Sequence, residues 1–117
     1  MDVKECYAAL GGNYEEVFSR LRTDERIVKF LNRVLEDKSM ELLTSSLESR
    51  NMEEAFRAAH TIKGVCMNLS LTRLFESSNK LTEALRGRTE YGDDIEPLLE
   101  KVKEDYKVTA DSIKKLN

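Results

Sequence analysis

The chain has 117 residues, of which 40% are hydrophobic, 35% are charged and only one is proline. This length suits a single domain over residues 1–117, and the scarcity of helix breakers favours helices. A formal net charge of −3, without any basic run, disfavours a nucleic-acid partner. No apolar stretch reaches the length of a membrane span or a secretion signal, so we expect a cytoplasmic protein without a membrane partner.

Apolar residues recur at the three- to four-residue spacing of amphipathic helices along most of the chain. In chain order, this spacing predicts helices over residues 3–10, 14–21, 24–35, 40–50, 51–69, 71–86 and 95–116. Ordinary stop and start signals separate them, such as Gly11-Gly12 after the first helix and Asn13 as the cap of the second. No segment alternates with the period of two that marks a strand. The sequence therefore predicts an all-α fold, an antiparallel bundle whose helices are joined by short loops.

The two cysteines give no sign of a metal site. Cys6 and Cys66 are far apart, and neither belongs to a CxxC pair or to a cysteine–histidine cluster. A zinc site needs several such ligands at close spacing. We therefore expect two reduced thiols, with Cys66 in the core, and no bound metal or other cofactor.

The fifth predicted helix opens with a capping-box-like pair, Asn51 and Glu54, and carries the only histidine of the chain, His60. At about 100° per residue, its small and apolar side chains cluster on one side. They are Ala55, Ala59, Ile62, Cys66 and Leu69, with Ala58 and Val65 at the edge. His60 lies roughly 130–140° from the centre of this stripe. Because the core is complete without it, we expect an exposed imidazole.

Charged and apolar side chains surround His60 on the predicted exposed face. Lys63 and Arg57 lie one helical turn to either side, where both would neutralise the oxygens of a bound phosphoryl group. Phe56 and Met67 are apolar residues on a face that should be wet. They indicate either a docking surface for a partner or contacts with the short N-terminal helices.

Gly64 lies on the same face, although glycine inside a helix costs about 1 kcal/mol relative to alanine. It points with His60 and away from the core stripe. The close approach of a partner therefore explains this glycine better than a tight crossing between two helices of the chain. We predict a docking face around His60 that consists of Phe56, Arg57, Gly64 and Met67.

One part of the chain resembles the histidine-containing phosphotransfer (HPt) domains of two-component phosphorelays. The residues that carry the resemblance are Ala59-His60-Thr61-Ile62-Lys63-Gly64, followed by Asn68-Leu69, Leu71, Leu74, Leu81 and Arg86. It is most specific at the His-x-x-Lys-Gly string and extends less specifically over residues 40–86. The resemblance implies a four-helix bundle with additional short N-terminal helices. It also implies that Lys63 lies near a phosphoryl group on His60, and that Gly64 leaves room for the active site of a receiver domain.

Two residues depart from the pattern of that family. Ser70 stands where the family often has a glycine between the two central helices. Thr82 stands where many members carry a Glu or Gln that contacts the surroundings of the histidine. The first departure concerns the shape of a turn, and the second concerns hydrogen bonding near His60.

The function implied by the resemblance is that of a phosphorelay intermediate. His60 would accept a phosphoryl group from an aspartyl phosphate on one receiver domain and pass it to another. Imidazole is largely neutral at cytoplasmic pH and attacks phosphorus without a general base, and phosphoryl transfer depends mainly on positioning and charge stabilisation. The chain lacks a Gly-rich phosphate loop and a nucleotide motif, so we expect a phosphocarrier that is not an enzyme. Nothing in the sequence demands a dimer, and we expect a monomer. Its expected partners are response-regulator receiver domains or a hybrid histidine kinase, with Mg²⁺ held by the receiver.

Two alternatives stay open. One is a phosphotransfer substrate domain of a chemotaxis-type histidine kinase, in which kinase domains normally follow in the same chain. The other is a helical module that binds receiver domains without any phosphotransfer. Labelling by a kinase catalytic domain with ATP would indicate the first, and tight binding that survives the loss of His60 would indicate the second.

Overall fold

The computed structural model describes all 117 residues and contains seven α-helices and no strand. The helices are α1 (Val3–Leu10), α2 (Tyr14–Leu21), α3 (Asp24–Glu36), α4 (Ser39–Glu48), α5 (Met52–Leu69), α6 (Thr72–Leu85) and α7 (Ile95–Lys114). Every predicted helix is present, with ends that differ from the prediction by one or two residues. The predicted all-α fold is confirmed. None of these helices combines the length and the apolar character needed to cross a membrane.

Side-chain caps explain where four of the helices begin. Asp2, Asn13, Thr23 and Asn51 each accept a hydrogen bond from the backbone N–H three residues further on. Each bond satisfies a donor that the first helical turn would otherwise leave without a partner. The caps set the register in which each helix presents its apolar stripe to the core.

Helices α4 to α7 form the bundle. Helix α5 packs between α4 and α6, and α6 packs in turn against α7. Short connections make such consecutive helices antiparallel neighbours. Helix α3 lies against both α5 and α7, and α1 lies against α7. One continuous cluster of 25 buried residues forms the core, and the molecule is elongated, with principal extents of 43 × 22 × 20 Å.

The N-terminal helices cover the turn between α5 and α6. Three groups from this region donate hydrogen bonds to backbone carbonyls at the C-terminal end of α5. They are the Tyr7 hydroxyl to Leu69 (2.8 Å), the Asn13 amide to Ser70 (2.9 Å), and the Arg20 guanidinium to Met67 (3.2 Å) and Asn68. The last carbonyls of a helix lack partners within the helix. These three residues, which we call the N-terminal clamp, therefore complete the end of the helix that carries His60.

Ser70 adopts the left-handed conformation that its position requires, with φ of 55° and ψ of 42°. A β-carbon makes this conformation unfavourable, which is why glycine usually occupies it. The serine hydroxyl donates a 2.7 Å hydrogen bond to the carboxylate of Glu16 on α2. Close against this turn lies Gly12, where an added Cβ would come within 2.7 Å of the Ser70 carbonyl oxygen. The departure at Ser70 therefore leaves the turn intact and ties it to α2.

Replacing Tyr7 with Phe removes the buried hydrogen bond to the Leu69 carbonyl and leaves that oxygen without its partner. We expect Tyr7→Phe to lower the free energy of unfolding by about 1–2 kcal/mol, measured by urea denaturation. The matched control is Tyr91→Phe, because the Tyr91 hydroxyl donates its hydrogen bond to the exposed carboxylate of Glu96, which water can replace. Equal destabilisation by the two variants would contradict a stabilising role of the clamp.

Candidate functional site

The side of α5 opposite His60 forms the centre of the core. Its buried residues are Met52, Ala55, Ala58, Ala59, Ile62, Cys66 and Leu69. Val65, expected at the edge of the stripe, is half-buried, and His60 itself is exposed in the middle of the helix. The predicted exposure of His60 is therefore confirmed.

An aromatic ring connects His60 to the neighbouring helix. The centroids of the Phe56 and His60 rings are 5.7 Å apart, with an angle of 39° between their planes. The guanidinium carbon of Arg86, just beyond the end of α6, lies 5.1 Å from the centroid of the Phe56 ring. Phe56 thus packs toward α6, at the end of α5 remote from the N-terminal clamp. Phe56 was predicted either to form a docking surface or to contact the short N-terminal helices. The structure places it away from those helices.

Met67 marks the other end of the exposed face. Its side chain is 52% exposed, while its backbone carbonyl accepts the hydrogen bond from Arg20. The N-terminal helices therefore hold the main chain at this position and leave the thioether at the surface. A flexible and polarisable side chain of this kind suits adaptable contacts with a partner.

The two predicted cations of the site differ in their surroundings. Arg57 forms ion pairs with Glu53 at 2.7 Å and with Glu54 at 3.3 Å, both on its own helix. These carboxylates hold the guanidinium toward the N-terminal turn of α5. Lys63 is half-buried and forms no ion pair in the structure. Of the two, Lys63 is the cation that remains free next to His60.

Two further charges near the C-terminal end of α6, Glu83 and Arg86, belong to the site. Their role there was not predicted from the sequence. Glu83 accepts a 2.9 Å hydrogen bond from Nε of Arg86 and forms an ion pair with Nη2 of the same guanidinium at 2.8 Å. The hydrogen bond from Arg86 lowers the pKa of the Glu83 carboxyl. Partial burial opposes this effect, and the positive charges of Lys63 and His60 lower the pKa further. Glu83 and Arg86 therefore belong to the same electrostatic environment as His60.

Thr82 occupies the position at which many HPt domains have a Glu or Gln, but its side chain serves a different purpose. It is fully buried, and its hydroxyl donates a 2.6 Å hydrogen bond to the Ser78 carbonyl one turn earlier in α6. The hydroxyl is therefore engaged within its own helix. The next residue, Glu83, carries the α6 carboxylate whose pKa is lowered in part by the charge of His60.

Gly64 has open space beside it. A Cβ placed there would meet no atom of the chain within 4 Å. No helix of this protein crosses closely at Gly64, so packing within the chain does not require a glycine. The absent side chain leaves a gap in the surface one turn beyond His60.

The structure contains no group of three or more His, Cys, Asp or Glu side chains that is arranged to hold a metal ion. Both cysteines are free and buried. Burial raises the pKa of the Cys66 thiol to about 12 and that of Cys6 to about 11. At neutral pH both remain protonated core residues, and neither is placed to act beside His60.

A helical bundle that exposes one imidazole, beside a free lysine and an open glycine, has the architecture of a histidine phosphotransfer protein. The model of the Hpt domain family matches residues 28–112, and the chain belongs to this family. Its role is accordingly histidine phosphotransfer in two-component signalling, in which receiver domains and histidine kinases are the interacting partners. Searches of curated proteins and of solved structures found no match. The match covers most of α3, all of α4 to α6 and α7 as far as residue 112, and leaves α1 and α2 outside.

Replacing Gly64 with Ala should stabilise the protein, because the new methyl group meets no atom of the chain and the helix gains intrinsic propensity. We expect an increase of about 0.5–1 kcal/mol in the free energy of unfolding, measured by urea denaturation. The control is Gly12→Ala, which must destabilise because its Cβ would collide with the Ser70 carbonyl. A loss of stability in Gly64→Ala would mean that the glycine serves the fold.

Proposed function

We propose that the chain is a phosphorelay intermediate in which His60 carries the phosphoryl group. It accepts this group from an aspartyl phosphate on one receiver domain and passes it to an aspartate on another. The observation that carries the proposal is the exposed His60, with a free lysine and an unfilled space one turn away on the same face. Membership of the Hpt family supports this assignment.

The chemistry needs few groups from this chain. The lone pair of His60 Nε2 attacks phosphorus, and the bond from phosphorus to the aspartyl oxygen breaks. The carboxylate of the donor leaves with the electron pair, while Nδ1 of His60 keeps its proton. The second transfer reverses these steps on the acceptor receiver.

Lys63 is the residue that we assign to charge stabilisation, because its ammonium group is free and lies one turn from His60. It offsets part of the negative charge on the phosphoryl oxygens during transfer. The receiver supplies Mg²⁺ and its own carboxylates. On this proposal the chain is a phosphocarrier without an ATP site.

The docking face follows from the same geometry. Phe56 and Met67 offer apolar surface on either side of His60, and Gly64 lets the rim of the receiver's active site approach the imidazole. Arg57, held by Glu53 and Glu54 in the free protein, contributes at the periphery of this face. Contacts of this kind orient the two reacting atoms, which is the main requirement of phosphoryl transfer.

Incubation with a phosphorylated receiver domain tests the proposal. Acid-labile phosphate should appear on the wild-type chain and should be absent from His60→Gln. Because His60 is exposed, this variant should unfold at the same urea concentration as the wild type. Label that persists in His60→Gln would contradict the proposal. Receiver binding unaffected by His60→Gln, with no label on either chain, would instead indicate a binding module.

The Gly64→Ala variant separates docking from folding. The added methyl group would enter the space that we assign to the receiver, so phosphotransfer should slow by on the order of tenfold to a hundredfold. The same substitution should raise the free energy of unfolding. Rapid-quench kinetics with a phosphorylated receiver measure the rate, and Glu100→Ala on the exposed face of α7 is the control. An unchanged transfer rate in Gly64→Ala would show that the receiver does not approach at this position.

A further inference from the structure

Arg86 has two partners, the Phe56 ring and the Glu83 carboxylate, and the first of them connects it to His60. Its guanidinium lies over the Phe56 ring, whose other neighbour is the imidazole. The same guanidinium forms the ion pair with Glu83. Arg86 is thus one aromatic ring away from the imidazole and is held there by a carboxylate.

The ion pair between Glu83 and Arg86 is of a kind that exchanges easily. Both side chains are 53% exposed, and exposed pairs contribute little net stability because water competes for both charges. A phosphoryl group carries more negative charge than a carboxylate and offers three acceptor oxygens. Arginine binds such groups through two parallel hydrogen bonds. Once His60 is phosphorylated, Arg86 therefore has a stronger acceptor within reach.

The other cations near His60 do not fill the role of Arg86, which is to leave a carboxylate beside the Phe56 ring for the phosphoryl group. Arg57 is held by Glu53 and Glu54 toward the N-terminal turn of α5, whereas the guanidinium that lies over the Phe56 ring is that of Arg86. Lys63 is free, but it has no carboxylate partner to give up. Arg86 is the one cation near the Phe56 ring whose release would also free a negative charge, that of Glu83.

We propose that Glu83 and Arg86 form an exchangeable latch beside His60. In the resting protein Glu83 holds Arg86 over Phe56. When His60 is phosphorylated, the phosphoryl oxygens take Arg86 from Glu83, and Glu83 competes for the guanidinium as long as the phosphoryl group remains. Glu83 is thus a positioning residue that limits the stability of the phosphorylated state and favours onward transfer. This inference rests on phosphorylation of His60.

Chemical phosphorylation of His60 with phosphoramidate allows a test that needs no receiver. A ³¹P NMR titration of the phosphorylated chain reports the acid constant of the phosphoryl group. Glu83→Gln should increase this constant about threefold to fivefold, the size of effect expected of an exposed ion pair, because Arg86 is then fully available. Arg86→Gln should decrease it by a similar factor. Glu100→Gln is the matched control, since Glu100 forms an exposed ion pair of the same spacing with Lys103.

The double variant decides whether Glu83 acts through Arg86. If the latch exists, Glu83→Gln has a much smaller effect in the Arg86→Gln background than in the wild type. An equal effect in both backgrounds would show that Glu83 acts by its own charge and would overturn the latch, as would no effect in either. The Arg86 Nε–H signal provides a second measurement, because it should shift on phosphorylation of the wild type. A latch that passes these tests in a chain that transfers to no receiver would refute only the proposed relay function.

Discussion

The burial of one side of α5 is the constraint on which the rest of the structure depends. Three alanines, Ala55, Ala58 and Ala59, let α4 and α6 pack closely on this helix, and larger apolar side chains continue the stripe. Since this side already fills the core, a helix in this register must turn His60 to the surface. The imidazole is therefore exposed on a backbone that is firmly held, because the other side of the same helix is packed into the core. A nucleophile on a rigid support needs little reorganisation before transfer.

The charges around His60 come from α5 and from the C-terminal end of α6, and they differ in the partners that hold them. Lys63 on α5 has no partner, whereas Arg86 is shared between an aromatic ring and Glu83 at the end of α6. A phosphocarrier must bind the phosphoryl group with intermediate strength, because a phosphorylated state that is too stable would slow the second transfer. An arginine whose positive charge is partly compensated meets this requirement better than a second free cation.

Local features of the chain were predictable from sequence, and features that depend on the packing of two helices were not. The periodicity of α5 is a property of one helix, so it was sufficient to predict both the buried stripe and the exposure of His60. The proximity of Glu83 to His60 depends on how α6 lies against α5, which no spacing within either helix defines. Arg57 illustrates a different limit. Glu53 and Glu54 precede it at the spacing of helical ion pairs, so the sequence was compatible with these ion pairs as well as with the expected phosphate contact. Spacing alone did not decide between the two. The clamp around the left-handed turn at Ser70 joins segments far apart in the chain, so local spacing does not predict it.

The N-terminal clamp binds α5 through main-chain oxygens alone. Tyr7, Asn13 and Arg20 contact carbonyl groups, which every amino acid possesses, so the side chains of Met67 and Asn68 take no part in holding this end of the helix. Substitutions at these two exposed positions can therefore change the surface at this end of α5 without removing the hydrogen bonds that attach α1 and α2. The exposed surface and the attachment of the N-terminal helices can therefore vary independently at this end of α5, because they depend on different atoms of the same residues.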